Sequence, residues 1–281
     1  MQEQASAGAL FRLGRLGDAI AAATARLRRE PGAAGARVLL AELLLFAGNL
    51  ERADVQLDTA GTVDPSLSIA VAEFRQLLRA ERARHQLLTE GRVPEFLDGP
   101  TEAQRAALAA AVALRAGDPA LAARHAAAAE AARPAAAFIL GDQAGEQRVD
   151  DLRDADDLIG GSLEVLTPTG KYLWVPFERV VALHLPPPER PRDLYWRRAR
   201  LQVEGGPDGE VYVPALYMSD GLAAGAVASG DAADDEALRL GKVTDWRELA
   251  DGLTLGVGQR VLFAGEAGVP VMELTSLTRV A

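Results

Sequence analysis

"LGRLGDAIAAATARLRREP" (residues 13–31) carries a spacing that the chain uses three times. Its Gly14, Ala19 and Pro31 return 34 positions later as Gly48, Ala53 and Pro65, and again, with the same internal spacing, as Gly117, Ala122 and Pro134. Thirty-four is the period of tetratricopeptide helix pairs. Each mark has a mechanical sense. The glycines fall where one helix ends and the chain turns back through a positive φ. The alanines let the second helix lie close to the first. The prolines stop it, since proline cannot continue the hydrogen-bond ladder and pushes the preceding residue out of the helical region.

Between these marks the periodicity is helical. "ARVLLAELLLF" (36–46) sets Val38, Leu39, Leu43 and Phe46 on one stripe, interrupted by Glu42. "LSIAVAEFRQLLRAERARHQLLTEG" (67–91) reads as a long helix or a pair, and a divergent unit or long connecting helices occupy 66–116. The reading is a TPR-like all-helical domain over residues 1–137.

Near 136–150 the character changes. Gly141, Gly145 and a polar cluster read as a linker, and "DDLRDADDLIG" (150–160) as a short acidic helix or loop. Beyond it the period moves toward two. Three hairpins are expected: "SLEVLT" with "KYLWV" (171–175), "YWRRARLQV" with "EVYVPALY" (210–217), and "RVLFA" with "VPVMEL" (269–274). "DDEALRLG" (234–241) reads as a helix, and the small residues of 219–234 as a mobile loop. The fold class is α+β in two domains, with a β-rich second domain over 138–281.

Charge is unevenly shared. Residues 1–135 hold 16 basic and 16 acidic groups, so the net −10 of the 281-residue chain lies in the second half. An acidic surface disfavours nucleic acid and anionic membrane as partners. A basic run at Arg190, Arg192, Arg197, Arg198 and Arg200 reads as a solvated strand face. Cysteine is absent, which removes disulfides, thiolate metal sites and cysteine nucleophiles. The first twenty residues lack a basic stretch followed by an apolar one, and no apolar run is long enough to span a bilayer. A cytoplasmic protein is expected.

Tests for chemistry are negative. His85, His125 and His184 are scattered, without metal-ligand spacing. "DADDLIG" puts Leu158 where a calcium loop needs an acid. "GVGQRV" (256–261) replaces the third glycine of a dinucleotide fingerprint with Val261, before a strand rather than a helix. Nothing brings Glu178 and Asp193 together as an acid–base pair. No catalytic residue, metal or cofactor is expected.

"GKYLWVPFERVVALHLPPP" (170–188) is the densest remaining candidate. Alternation puts Tyr172 and Trp174 on one face of a strand and Leu173 and Val175 on the other, both apolar, as for a strand buried on both sides or covered by the helical domain. Pro176 marks a strand end, an edge or a bulge, Phe177 re-enters the core, and Glu178 and Arg179 pair or face water. Packing at a domain junction accounts for these residues; an enzyme site between the domains around Tyr172, Trp174 and Glu178 is the alternative.

This stretch, extended to "ERPRDLYW", resembles the signature of the ImpE/TagJ (SciE-type) accessory proteins of bacterial type VI secretion systems. "LRLGKVTDWRE" (238–248) and "GLTLGVGQRVL" (252–262) are similar to that family's downstream elements, and the repeats to its opening half. The chain departs from the pattern at "PALYMSDGLAAG" (214–225) and "YWRRAR" (195–200). The resemblance implies a non-enzymatic cytoplasmic accessory that binds the small sheath subunit, TssB, through a helix near that subunit's N-terminus, in connection with the ClpV unfoldase. A repeat array with a concave groove suits such a helix. A generic repeat chaperone outside secretion is the competing class. The motif residues Tyr172, Trp174, Pro176, Phe177, Glu178, Arg179, Trp246, Gly258 and Gln259 are the candidates for a partner-facing or interdomain surface.

Overall fold

The computed structural model describes residues 6–218 and 232–280. Among them, helices α1 (Ala7–Arg12), α2 (Leu16–Arg29), α3 (Ala34–Phe46), α4 (Leu50–Val63), α5 (Ser68–Thr89), α6 (Glu102–Arg115) and α7 (Pro119–Ala132) come first. The three repeat marks act as the spacing predicts. Gly14, Gly48 and Gly117 have φ of 84°, 69° and 76°. Each turn closes identically: the glycine N–H donates three residues back and the next N–H five residues back, to Phe11 and Leu10, Leu45 and Leu44, Leu114 and Ala113. Ala19, Ala53 and Ala122 are fully buried. The second helices stop at Arg29, Val63 and Ala132, two residues before each proline, with Glu30, Asp64 and Arg133 out of helical geometry. The stretch 67–91 is one long helix, α5, rather than a pair.

The strands follow: β1 (Phe138–Gly141), β2 (Glu146–Val149), β3 (Leu152–Asp154), β4 (Ser162–Leu166), β5 (Tyr172–Pro176), β6 (Val180–His184), β7 (Trp196–Val203), β8 (Asp208–Pro214), then α8 (Ala232–Arg239), β9 (Thr244–Ala250), β10 (Leu253–Gly258), β11 (Val261–Ala264), β12 (Ala267–Pro270) and β13 (Ser276–Arg279). Eight of them form one sheet in the order β2-β1-β13-β6-β7-β8-β4-β5; β10-β9 and β12-β11-β3 form smaller ones. The three expected hairpins are present as β4–β5, β7–β8 and β11–β12, although β12 begins at Ala267 within the expected turn and Val271–Leu274 lies beyond its end. The linker expectation for 136–150 is corrected: β1 and β2 make a hairpin there, paired from Phe138–Val149 to Gly141–Glu146. Residues 152–154 are likewise strand, not helix or loop, because Leu152–Asp154 pairs with β11. The loop expectation for 219–234 falls on 219–231, outside the described residues, and α8 begins at Ala232.

Two cores result, divided by the sheet. Leu163, Val165, Val175, Leu201 and Val213 turn to one side, against Leu262 and Val269 of the small sheet. Leu166, Tyr172, Trp174, Trp196 and Tyr212 turn to the other and join the helices. Strand alternation thus separates an aliphatic face from an aromatic one. Tyr195 meets Phe46 of α3 edge-on at 5.3 Å between ring centres, and Trp196 meets Phe74 of α5 at 5.9 Å. The inner sides of α3 and α5 are therefore covered by the chain's own sheet. The concave groove expected along the repeats is closed there, and a trough remains at its α1–α3 end.

Candidate functional site

The covered junction contains a buried ionic network. In α5 an apolar stripe runs through Val71, Phe74, Leu78 and Leu88, and Glu81 and Arg84 occupy positions of that stripe rather than of the solvent face. Opposite them, alternation in β4 turns Glu164 toward the helices. Arg84 binds the Glu164 carboxylate with Nε at 3.0 Å and Nη2 at 2.9 Å, and donates to Glu81 at 3.1 Å and to the Leu216 carbonyl at 2.8 Å. Arg260 enters from the β10–β11 turn, pairing with Glu164 and, at 3.3 Å, with Asp154. The Tyr172 hydroxyl donates to Glu164 and accepts from Trp174 Nε1 at 2.6 Å. Trp196 Nε1 donates to Glu81 at 2.8 Å, and His85 Nε2 lies 3.0 Å from the same carboxylate. Tyr217 donates to Asp154 at 2.9 Å.

The environment sorts these acids into two groups. Burial opposes ionisation of Glu81 and Glu164, yet the guanidinium of Arg84, joined by His85 at Glu81 and by Arg260 at Glu164, holds each carboxyl down to about 2. Burial prevails at Asp154 and Asp156. Asp154 is pushed up to about 6 against the pull of Arg260, and Asp156, raised further by Asp154, to about 7. Asp156 accepts from the Leu158 and Gly256 N–H groups at 2.8 and 2.9 Å and so ties the loop after β3 to β10.

The sequence-singled residues fall into three places. Tyr172 and Trp174 belong to this network; the Trp174 carbonyl also accepts from Gln104 of α6 at 3.1 Å. Pro176 ends β5 and Phe177 is buried below it. Glu178 and Arg179 do not pair with each other. The Glu178 carbonyl accepts from Arg279 and burial raises its carboxyl, while Arg179 binds Asp98 at 2.7 Å and the Glu204 carbonyl at 2.8 Å. Asp193 accepts instead from the N–H groups of Glu189 and Arg190. Trp246, Gly258 and Gln259 gather around Tyr217. Trp246 is 40% exposed, with its ring centre 5.9 Å from that of Tyr217. Gly258 has φ 86°, and a side chain there collides with the Val243 carbonyl. Gln259 donates to the Gly241 carbonyl at 2.8 Å, and Tyr217 lies flat on Gly256, leaving no room for a Cβ.

The ImpE protein family model matches residues 146–278, and a tetratricopeptide repeat model matches 10–78. A Pseudomonas aeruginosa protein described as type VI secretion system accessory component TagJ is 35% identical over 262 residues, covering 92% of this chain and 85% of the relative. The chain belongs to the ImpE/TagJ family. A crystal structure of a Vibrio parahaemolyticus protein superposes with a TM-score of 0.85 at 24% identity, covering 98% of this chain and 97% of that one, a likeness of fold.

Of the ImpE/TagJ motif segments, Tyr172–Trp174 and the "GVGQR" run meet at the junction of sheet and helices, while Phe177 packs in the other core. In "GVGQR", Gly256 and Gly258 serve close packing and a positive φ, Gln259 pins the α8–β9 turn, and Arg260 delivers the charge that Glu164 needs. The network has little free space: the cavity lined by Arg84, Asp156, Glu164 and Tyr217 measures about 10 Å3, about one water molecule. A crevice of about 280 Å3 opens between the Gly48 turn, α5, α8 and β10. A larger trough, about 1020 Å3, lies between α1, α2 and α3.

The basic run differs from the expected solvated face at three of its members. Arg197 is buried and donates to the carbonyls of Val271, Met272, Pro186 and Leu274 at 2.8–3.3 Å. Arg190 reaches Glu42, the acid that interrupts the α3 stripe, and Arg192 lies over the Phe74 ring at 5.2 Å. Arg198 and Arg200 do face solvent, paired across the hairpin with Glu210 and Asp208. Glu81, Arg84, Asp154, Glu164 and Arg260 escaped the sequence reading. The available signal was charge at apolar-stripe positions of α5, the same kind of signal that Glu42 gives in α3. Among the described residues no three His, Cys, Asp or Glu are grouped so as to hold a metal ion, and no helix is long and apolar enough to cross a membrane.

Proposed function

We propose that this chain is a non-enzymatic, cytoplasmic adaptor of a bacterial type VI secretion system. It binds the small sheath subunit, TssB, through an amphipathic helix near that subunit's N-terminus, and so serves sheath assembly or ClpV-dependent recycling. The observation that carries the reading is the near full-length likeness to TagJ, a secretion accessory component, across both repeats and sheet. The residues support it. The polar groups of the junction are spent on one another, leaving about 10 Å3 where a catalytic site near Tyr172 and Trp174 would need room for substrate. In this reading residues 1–137 are the binding unit and 138–281 its brace, with the motif residues Tyr172 to Arg179, Trp246, Gly258 and Gln259 acting mainly in the bracing.

The test is a pull-down with the cognate sheath small subunit, intact and lacking its first helix. Capture of the intact subunit alone is the expected result. Capture that ignores the helix ends the helix-binding reading, and turnover of any small molecule by the purified chain ends the non-enzymatic one. A gene neighbourhood without sheath and unfoldase genes turns the balance to a repeat chaperone outside secretion.

A further inference from the structure

The trough between α1, α2 and α3 has a built chemistry. The outer face of α2 turns Asp18, Ala21, Ala22, Ala25, Arg26 and Arg29 into it, at steps of 3, 1, 3, 1 and 3, with the buried Ala23 at its floor and Leu16, Ala19 and Leu27 buried elsewhere on the helix. Leu39 of α3 forms part of the opposite wall. Its volume, about 1020 Å3, is roughly that of two and a half turns of a helix 10 Å across. Alanine walls let another backbone come close, and charge sits at the rim.

That charge names the occupant. The charged residues that line it are Arg15, Arg26 and Arg29 against Asp18, a balance of +2 in a chain of net −10. At the rim Arg15 pairs with Asp18 at 2.6 Å and Arg26 with Glu30 at 3.3 Å, both exposed, and Arg29 makes no ion pair among the described residues. Exposed pairs of this kind hold weakly and exchange readily for an incoming carboxylate. Resting on the adaptor reading above, the geometry points to this trough as the seat of a short amphipathic helix whose apolar stripe is flanked by acidic side chains. The stripe lies against Ala22, Ala25 and Leu39, and the carboxylates meet Arg26 and Arg29. A helix flanked by lysine is repelled from the same seat.

Fluorescence anisotropy with the full chain and two labelled peptides of about 18 residues tests this. Both peptides carry one leucine stripe, flanked by glutamate in the first and lysine in the second. The glutamate peptide is expected to bind at least roughly tenfold tighter at low salt, with the gap closing near roughly 1 M salt. Ala25→Trp, made at an exposed position, fills the trough, and Arg26→Glu with Arg29→Glu reverses its rim; each is expected to weaken the glutamate peptide roughly tenfold or more. Thermal melts by circular dichroism verify that both variants fold. Equal binding of the two peptides, binding of neither, or wild-type affinity in both variants overturns the proposal. A sheath subunit that fails to bind, while the glutamate peptide binds in the trough, defeats the adaptor reading alone. A subunit captured equally well by Ala25→Trp defeats the seat and leaves the adaptor.

Discussion

Helices α2 and α3 come from the same kind of repeat, yet α3 is enclosed on nearly every side and α2 keeps one face bare. In α3, Ala36 and every residue from Leu40 to Phe46 are buried, with Tyr195 and Arg190 of the sheet half laid across them. In α2 only Leu16, Ala19, Ala23 and Leu27 are buried. The difference is marked by acids. Glu42 in α3 and Glu81 in α5 sit within apolar stripes and find arginine or tryptophan partners on the facing elements or their own helix. No such acid interrupts the stripe of α2. A carboxylate inside the apolar stripe of a repeat helix thus marks the part of the array that the chain covers itself, and a clean stripe marks the part left for others.

The strongest way to break this contrast is at the covered end. Arg84→Ala takes a guanidinium from both Glu81 and Glu164, leaving them to His85 and Trp196 and to Arg260 and Tyr172, and removing one partner of a buried pair costs about 3–5 kcal/mol. Urea unfolding measures it, and a loss below about 1 kcal/mol would mean that packing alone holds the junction. The pH dependence ranks next. Asp154 and Asp156, raised to about 6 and about 7 from 3.8, contribute stability that is full below pH 3.8 and lost as pH rises through 6 to 7. Glu81 and Glu164, lowered to about 2 from 4.5, contribute stability that is full above pH 4.5 and lost as pH falls through 2. Melting temperature should therefore peak between those limits and decline toward pH 8. Asp156→Asn should flatten the alkaline side by roughly 2–4 kcal/mol and leave the acid side as it was.

Smaller effects sharpen the comparison. Gly258→Ala forces a side chain onto φ 86° and against the Val243 carbonyl, costing about 1–3 kcal/mol in thermal or urea unfolding. At the open end, Ala25→Glu should shift stability by less than about 0.5 kcal/mol, as should Arg198→Ala on the solvent side of β7. If Ala25→Glu unfolds the protein instead, α2 is not a free face.

The repeats were legible because their turns need a few residue types at fixed intervals, so Gly14, Gly48 and Gly117 announce themselves. The three local hairpins were legible for a similar reason, each having its turn between its own strands. The β1–β2 hairpin was not. Three of the four residues of β2 are exposed and polar, and β1 takes its other partner, β13, from the far end of the chain. The ionic junction was hidden because charge on a helix normally faces water, and only its position relative to Phe74 and Leu88 hinted otherwise. Tyr172 and Trp174 were legible as sharing one face of a strand, but the carboxylate they serve, Glu164, lies on the neighbouring strand, and nothing local singles it out.

The placement of β13 has a consequence for how the large sheet is joined. Residues 276–279 are the shared neighbour of β1 and β6, near the middle of the large sheet. The strands that carry the aromatic face, β4, β5, β7 and β8, pair with one another and close over α3 and α5 without it, whereas β1 and β2 reach that sheet only through β13. Residues 276–279 thus act as a splice: without them the β1–β2 hairpin loses its tie to the large sheet, while the cover over the helices keeps its own pairing.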